Sequence, residues 1–462
     1  MIGLTDHGGI FMWRKTVALI SVIISVLGCN LVSHAGTGSG DIEEYVEEFR
    51  CKTGCESVSV CVVDDGIVSF YGDPDGLYQI GSMTKAFTGL AVQKLISEGK
   101  LSEEDKVSNL IPGFFATFGS ESADITVLQL LEQTSGYTNS ETDYPSAEEW
   151  MTLYEWAMSI SGKELTTLPG SEYAYSNVNY NLLGLIIEQV TGRSYAEYME
   201  EEILIPLGLT NTYVGRPDTE ADIVNGSRPG YRNAFEYEIS VVSARIPAGY
   251  FYSNAKDCSK WITIWNGTAD VPAEYSDLIN SVKNHLVETG DYYSGWELFG
   301  GGVIGHSGGT PNYSSRIVFN DTEEIGVCVL TNMNVAASTD GLCNGIYESL
   351  TGGKVKDIPT DVWTVFDIIF TIVSVAGIFM IVCIMLMKKR LPVIISGVFV
   401  MILIASVCIV MPLVFGAGLA SILFIWAPYS LAGSLAVLVI HEIVAVIKLR
   451  KLRLNENREK TG

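Results

Sequence analysis

Three apolar runs close the sequence, at 362–387, 391–415 and 419–447, and nothing else in it restricts the fold so tightly. Each exceeds the ~20 residues that cross a hydrocarbon core. In lipid the backbone must satisfy its own hydrogen bonds, so each run is predicted to be a helix. Lys388-Lys389-Arg390 lies between the first two runs, and Lys448, Arg450, Lys451 and Arg453 follow the third. Basic residues collect on the cytoplasmic side. The first span then runs inward, the second returns, and the third ends inside, which makes a multi-pass membrane protein with residues before 360 outside the cytoplasm.

The N-terminus gives the same orientation. Arg14-Lys15 precedes an apolar stretch from Val17 to Leu27, as in a secretory signal. Ser33-His34-Ala35 offers a cleavage site, Val26-Leu27-Gly28-Cys29 offers a lipobox with Cys29 as the lipidated residue, and an uncleaved signal anchor is a third option.

Charge is divided unevenly. Residues 361–462 hold nine Lys or Arg against five Asp or Glu, a net of +4; the whole chain carries −24, so residues 1–360 carry −28. That acidity excludes nucleic acid as a partner, because phosphate binding needs a basic footprint. Six cysteines fall outside the spans and signal region (Cys51, Cys55, Cys61, Cys258, Cys328 and Cys343), where disulfides are permitted but their pairing is unreadable. No His/Cys spacing matches a zinc site, and neither a metal nor another cofactor is expected.

Within the outer part, 57–71 alternates around Asp64-Asp65-Gly66 as a hairpin does. A helical pattern follows Ser82 and ends at Gly99; another covers 180–190 and closes at Gly192. The runs 314–320 and 325–331 predict a second hairpin, and 338–350 a closing helix. Strands near both ends with helices between them predict an α+β fold, an antiparallel sheet built from the two ends with a helical insert. The expected domains are a signal or anchor over 1–35, a folded domain over 36–350, a linker over 351–361, three transmembrane helices over 362–447 and a basic cytoplasmic tail over 448–462.

Four short segments carry chemistry. Ser82-Met83-Thr84-Lys85 places a hydroxyl and an amine one helical turn apart, so a neutral lysine can take the serine proton. Alone this spacing reads as a helix cap and an exposed lysine. Downstream come Leu130-Leu131-Glu132-Gln133-Thr134-Ser135-Gly136, then Tyr173-Ala174-Tyr175-Ser176-Asn177 after a Pro169-Gly170 turn, and Gly305-His306-Ser307-Gly308-Gly309-Thr310. Taken together and in this order, the four segments over residues 42–350 resemble the serine β-lactamase and penicillin-binding-protein-like hydrolases. The likeness is to the class-C-like branch that includes D-stereospecific peptidases and esterases.

The resemblance implies a β-lactamase-like fold and a covalent acyl-enzyme. It makes Ser82 the nucleophile, Lys85 and Tyr175 the proton-transfer groups and Asn177 a contact to substrate from an extended segment. It also makes Gly309 the second oxyanion N–H beside that of Ser82, and His306 a further catalytic residue. His306 stands where β-lactamases and D,D-peptidases usually carry lysine, so a neutral imidazole would replace a carboxylate clamp. Gln133 stands where many relatives have histidine, with an expected effect on packing. The implied activity is hydrolysis of amides or esters: cell-wall D-peptides, so that peptidoglycan is a partner, small esters, or weakly β-lactams. The other reading is a receptor that binds or is acylated by such a ligand without efficient turnover. In the membrane part, His441, Glu442 and Asp367 read as residues snorkelling to the interface, and the spans as an anchor.

Overall fold

A computed structural model describes residues 42–139, 150–217 and 222–461; the signal, lipobox and cleavage readings lie outside them. Helix α1 (Ile42–Thr53) leads into β1 (Val58–Asp64) and β2 (Ile67–Tyr71), joined at Asp65-Gly66. A 3-10 turn over Gly81–Met83 opens α2 (Thr84–Ser97), and the helical half adds α3 (Asn177–Thr191), α4 (Ala255–Trp265) and α5 (Ala273–Thr289). The chain returns through β3 (Tyr292–Tyr293), β4 (Trp296–Leu298), β5 (Ile304–Thr310), β6 (Tyr313–Asn320) and β7 (Ile325–Thr331) to α6 (Ala336–Leu350).

These seven strands form one antiparallel sheet in the order β2-β1-β7-β6-β5-β4-β3. The two ends of the domain meet where β1 pairs with β7, from Val58 opposite Thr331 to Asp64 opposite Ile325. Both faces of the sheet are covered, which explains why β1 and β7 are apolar almost throughout. Val60, Val62, Val327 and Val329 pack beneath α1 and α6, while Cys61, Val63, Cys328 and Leu330 turn to the opposite core with α2, α3 and α4. On that side Phe87 stacks on Trp261 at 4.1 Å between ring centroids, and Trp296 packs edge-on against Trp265 and Phe319 at 5.0 and 5.1 Å. Truncating one such ring costs about 3–5 kcal/mol. All eight cysteines among the described residues are free thiols, and Cys61 faces Cys328 across the strands.

Segment 351–361, expected to be a linker, is docked. Tyr45 donates to the Lys356 carbonyl (2.8 Å), Ser338 to that of Pro359 (2.8 Å), and Ile358 is buried under α6. Asp361 then caps the next helix by accepting from the Trp363 N–H (2.8 Å). Among the described residues, the helices long and apolar enough to cross a membrane are α7 (Val362–Leu386), α8 (Arg390–Phe415) and most of α9 (Tyr429–Thr461). The third begins ten residues later than expected. A π-helical turn over Ile422–Trp426 ends at Ala427, whose extended backbone (ψ 157°) is what a following proline favours, and Pro428 restarts the chain as α9. Helix α9 also runs on through the basic segment instead of giving way to a separate tail.

Asp367 and His441 do not reach for an interface. Asp367 is 2% exposed and accepts the backbone N–H groups of Tyr231 and Arg232, both at 2.7 Å. His441 is wholly buried, 2.9 Å from Ser396 Oγ on α8 and 3.1 Å from the Glu442 carboxylate. Polar groups brought by neighbouring elements satisfy both side chains, so neither has to seek water.

Candidate active site

The 3-10 turn sets Ser82 at the sheet-facing entrance to α2, and Lys85 follows one turn later with its side chain wholly buried. The Lys85 Nζ lies 2.9 Å from Ser82 Oγ, 2.7 Å from Asn177 Oδ1 and 2.6 Å from the Ala248 carbonyl oxygen. Burial holds the amine well below its ordinary pKa. As a neutral amine it has two N–H bonds and one lone pair. The two carbonyl-type oxygens can only accept, so they take the two N–H bonds and the lone pair is left for the Ser82 hydroxyl.

The Ala248 carbonyl was not legible as a site group, because any residue can supply a backbone oxygen. Its place is fixed by the chain around it: Thr88 Oγ1 donates to the Pro247 carbonyl (2.7 Å) and the Ile80 N–H to that of Phe251 (2.9 Å). Asn177 also departs from expectation. It is the first residue of α3, with Ser176 as the N-cap accepting from the Val178 N–H, and not part of an extended segment.

Tyr175 precedes that cap. Its ring centroid lies 4.9 Å from Lys85 Nζ and 6.0 Å from those of both Tyr292 and His306. Gln133 clamps this stretch from two sides: its carbonyl accepts the Ala174 N–H (2.8 Å) and its side-chain Oε1 the Ser176 N–H (2.9 Å). The same Oε1 accepts from Asn179 Nδ2 at 2.5 Å. Gln133 thus positions the tyrosine loop as well as packing beneath it.

His306 is 2% exposed, on the site-facing side of β5. Its Nδ1 lies 2.5 Å from the Ser307 carbonyl, which can only accept, so the ring proton sits on Nδ1. Nε2 is then left to accept from the Tyr292 hydroxyl at 3.2 Å. Burial first, and second the positive charge of Lys85 whenever that amine is protonated, push the imidazole down to about 3. Tyr292, buried and held far above its usual pKa, keeps its proton. His306 is accordingly a neutral acceptor. No sequence signal marks Tyr292 as a site residue.

Gly309 follows on the same strand. A Cβ on Gly81 would stand 2.4 Å from the Gly309 nitrogen, and one on Gly308 would stand 2.1 Å from the Ile80 carbonyl oxygen. Glycine at both positions lets the serine turn lie directly on β5. All six residues expected from sequence therefore gather at one place, where the serine turn lies on β5. Strand β4 covers β5 only at Ile304 and Gly305, so among the described residues no strand lies along that edge from His306 to Thr310.

An antiparallel sheet flanked by helices, with a serine–lysine pair where an inner strand meets the first core helix, defines a serine-hydrolase class of fold. The chain belongs to the beta-lactamase family, whose model matches residues 42–345. It is 32% identical over 320 residues to Protein flp of Staphylococcus aureus (strain COL), a match covering 63% of this chain and 63% of that protein. In fold it is similar to an octameric penicillin-binding protein homologue from Pyrococcus abyssi (TM-score 0.57, 23% identity, 69% of this chain and 78% of that one). It is also similar to a beta-lactamase/D-alanine carboxypeptidase from Pseudomonas syringae (TM-score 0.56, 15% identity, 67% of this chain and 97% of that one). The matched family region ends before α7, so the three apolar helices lie beyond it.

Proposed function

We propose that the chain is a membrane-anchored serine hydrolase that cleaves amides or esters through an acyl-enzyme, with its site on the extracytoplasmic side. The observation that carries this reading is the Lys85 amine, buried and held by two acceptors so that its lone pair faces Ser82. In the first step Ser82 Oγ bonds to the substrate carbonyl carbon as its proton passes to Lys85 Nζ. The carbonyl oxygen becomes an oxyanion, received by the N–H groups of Ser82 and Gly309. The bond to the leaving nitrogen or oxygen then breaks as Lys85 and Tyr175 return the proton to it. Water, deprotonated by the same pair, releases the acyl group and restores Ser82.

The unpartnered edge of β5 suits an extended substrate backbone laid beside His306–Thr310, and Asn177 suits contact with a substrate amide. With His306 neutral there is no cation at the family's lysine position, which favours uncharged acyl groups, peptide amides and esters, over carboxylate-clamped penicillins. Amides of D-amino acids fall within that range, and cell-wall D-peptides do so where no free C-terminal carboxylate has to be clamped.

Turnover of D-amino-acid amides, short-chain esters and a chromogenic cephalosporin by the full-length protein tests the assignment. The expected ranking puts esters and amides above the cephalosporin, with all activity lost in Ser82→Ala. Equal turnover by wild type and Ser82→Ala would refute it. A covalent adduct that forms and never clears would instead identify a receptor.

A further inference from the structure

A short hairpin, Ser227–Gly230 paired with Asn233–Glu236, joins the family domain to the apolar helices and has no role in the chemistry above. Arg228 on its first strand is 2% exposed. Its guanidinium donates to three carbonyls at the end of the π-helical turn: Nη2 to Leu423 (2.6 Å), Nη1 to Phe424 (3.0 Å) and Nε to Ala427. It also lies over the rings of Tyr429 and Tyr237, at 4.7 and 5.3 Å. The hairpin tip is held as firmly. Tyr231 and Arg232 both have left-handed backbones (φ 51° and 64°), which aims their successive N–H groups at the one carboxylate of Asp367 on α7.

The root of the hairpin reaches the other way. The Ser227 N–H donates to the carbonyls of Asn332 (2.7 Å) and Asn312 (3.3 Å). Asn312 Nδ2 donates to the Tyr237 carbonyl (2.8 Å), while the Tyr237 hydroxyl donates to the Phe424 carbonyl (2.9 Å). Asn312 sits in the turn between β5 and β6, where its Oδ1 accepts from Thr310 Oγ1 (3.2 Å), the residue after Gly309. Tyr237 thus bonds with one end to the membrane helices and with the other to the turn that terminates the oxyanion strand.

We propose that Arg228 and Tyr237 are positioning residues for the reaction: through Asn312 they hold the Gly309 end of β5, so the apolar helices are a working part of the site and not only an anchor. This rests on the serine-hydrolase reading of the site. A buried arginine bonded to three carbonyls ties the hairpin to the apolar helices, and among the described residues a polar path from that contact runs through Tyr237 and Asn312 to the residue beside Gly309.

The test is the rate at which a fluorophosphonate probe labels the full-length protein in lipid nanodiscs. Arg228→Lys keeps the charge but cannot reach three carbonyls, and is expected to slow the maximal labelling rate about tenfold. Tyr237→Phe, which removes only one hydroxyl, is expected to slow it about threefold, and the probe concentration at half-saturation should not change in either. Combining Arg228→Lys with Asn312→Ala should be no slower than the slower single variant, because both cut one path. Wild-type rates, within twofold, in both Arg228→Lys and Tyr237→Phe would overturn the proposal, as would multiplying effects in the double variant. Should Arg228→Lys not fold, Tyr237→Phe decides alone. Failure of wild type to label at Ser82 would instead overturn the underlying reading and this proposal with it.

Discussion

At the scale of single residues the account turns on two buried bases whose pKa burial lowers. Lys85 needs its free amine form to act, so acylation should rise with pH along a limb whose midpoint lies well below the ordinary lysine value of about 10.5. His306, down at about 3, should add no limb between pH 5 and 8, where an ordinary histidine would titrate. A pH–rate profile of acylation checks both, and Lys85→Met should lower the plateau by about 10²- to 10⁴-fold. Stability follows the same sign. The unfolded His306 binds a proton near pH 6.5 and the folded one only near 3, so its neutral burial weakens the fold as pH falls through that window, by up to about 1.4 kcal/mol per pH unit. His306→Gln lacks this component, and denaturant titrations should show the gap between wild type and variant narrowing on acidification. Ser82 and Lys85 stood out as a pair one helical turn apart, but they and His306 were picked as site candidates through the resemblance that the four ordered segments carry together. The Ala248 carbonyl was not legible, since backbone oxygens leave no trace in a sequence, and Tyr292 looked like any core aromatic.

At the scale of elements the site exists because a turn and a strand approach more closely than side chains permit. Gly81→Ala places a methyl 2.4 Å from the Gly309 nitrogen at a residue with φ +52°. The expected cost is about 1–3 kcal/mol in thermal or denaturant unfolding, with acylation reduced further as the two N–H donors separate. Gln133→Ala removes the side-chain acceptor of the Ser176 N–H and should slow acylation while leaving the main sheet intact by circular dichroism. The β-branched and apolar runs of β1, β6 and β7, each beside a turn signal, made the sheet readable from both ends. Strands β3 and β4, two and three residues long, carry too little pattern to show a period. The start of α3 was read three residues late because Asn177 and Asn179 interrupt the apolar pattern at its first turn.

For the whole molecule, the three apolar helices and their basic flanks were plain in the sequence, but their attachment was not. Arg228 and Asp367 are isolated charges more than a hundred residues apart, and only the fold brings each to backbone partners on the other unit. Asp367→Ala strips two backbone N–H groups of their acceptor, and should lower the unfolding free energy by about 1–3 kcal/mol, read as a reduced denaturation midpoint in detergent. The proposed orientation, with Lys388-Lys389-Arg390 and the end of α9 in the cytoplasm, predicts that protease added outside intact spheroplasts cuts within the family domain and spares a C-terminal tag.

The central claim is that Ser82, activated by Lys85, carries the acyl group. Mass spectrometry of the full-length protein quenched in acid during ester turnover tests it most directly. The account predicts an added acyl mass on the peptide containing Ser82, absent from Ser82→Ala and scarce in Lys85→Met. Turnover with no adduct at Ser82, or an adduct on another residue, would contradict it.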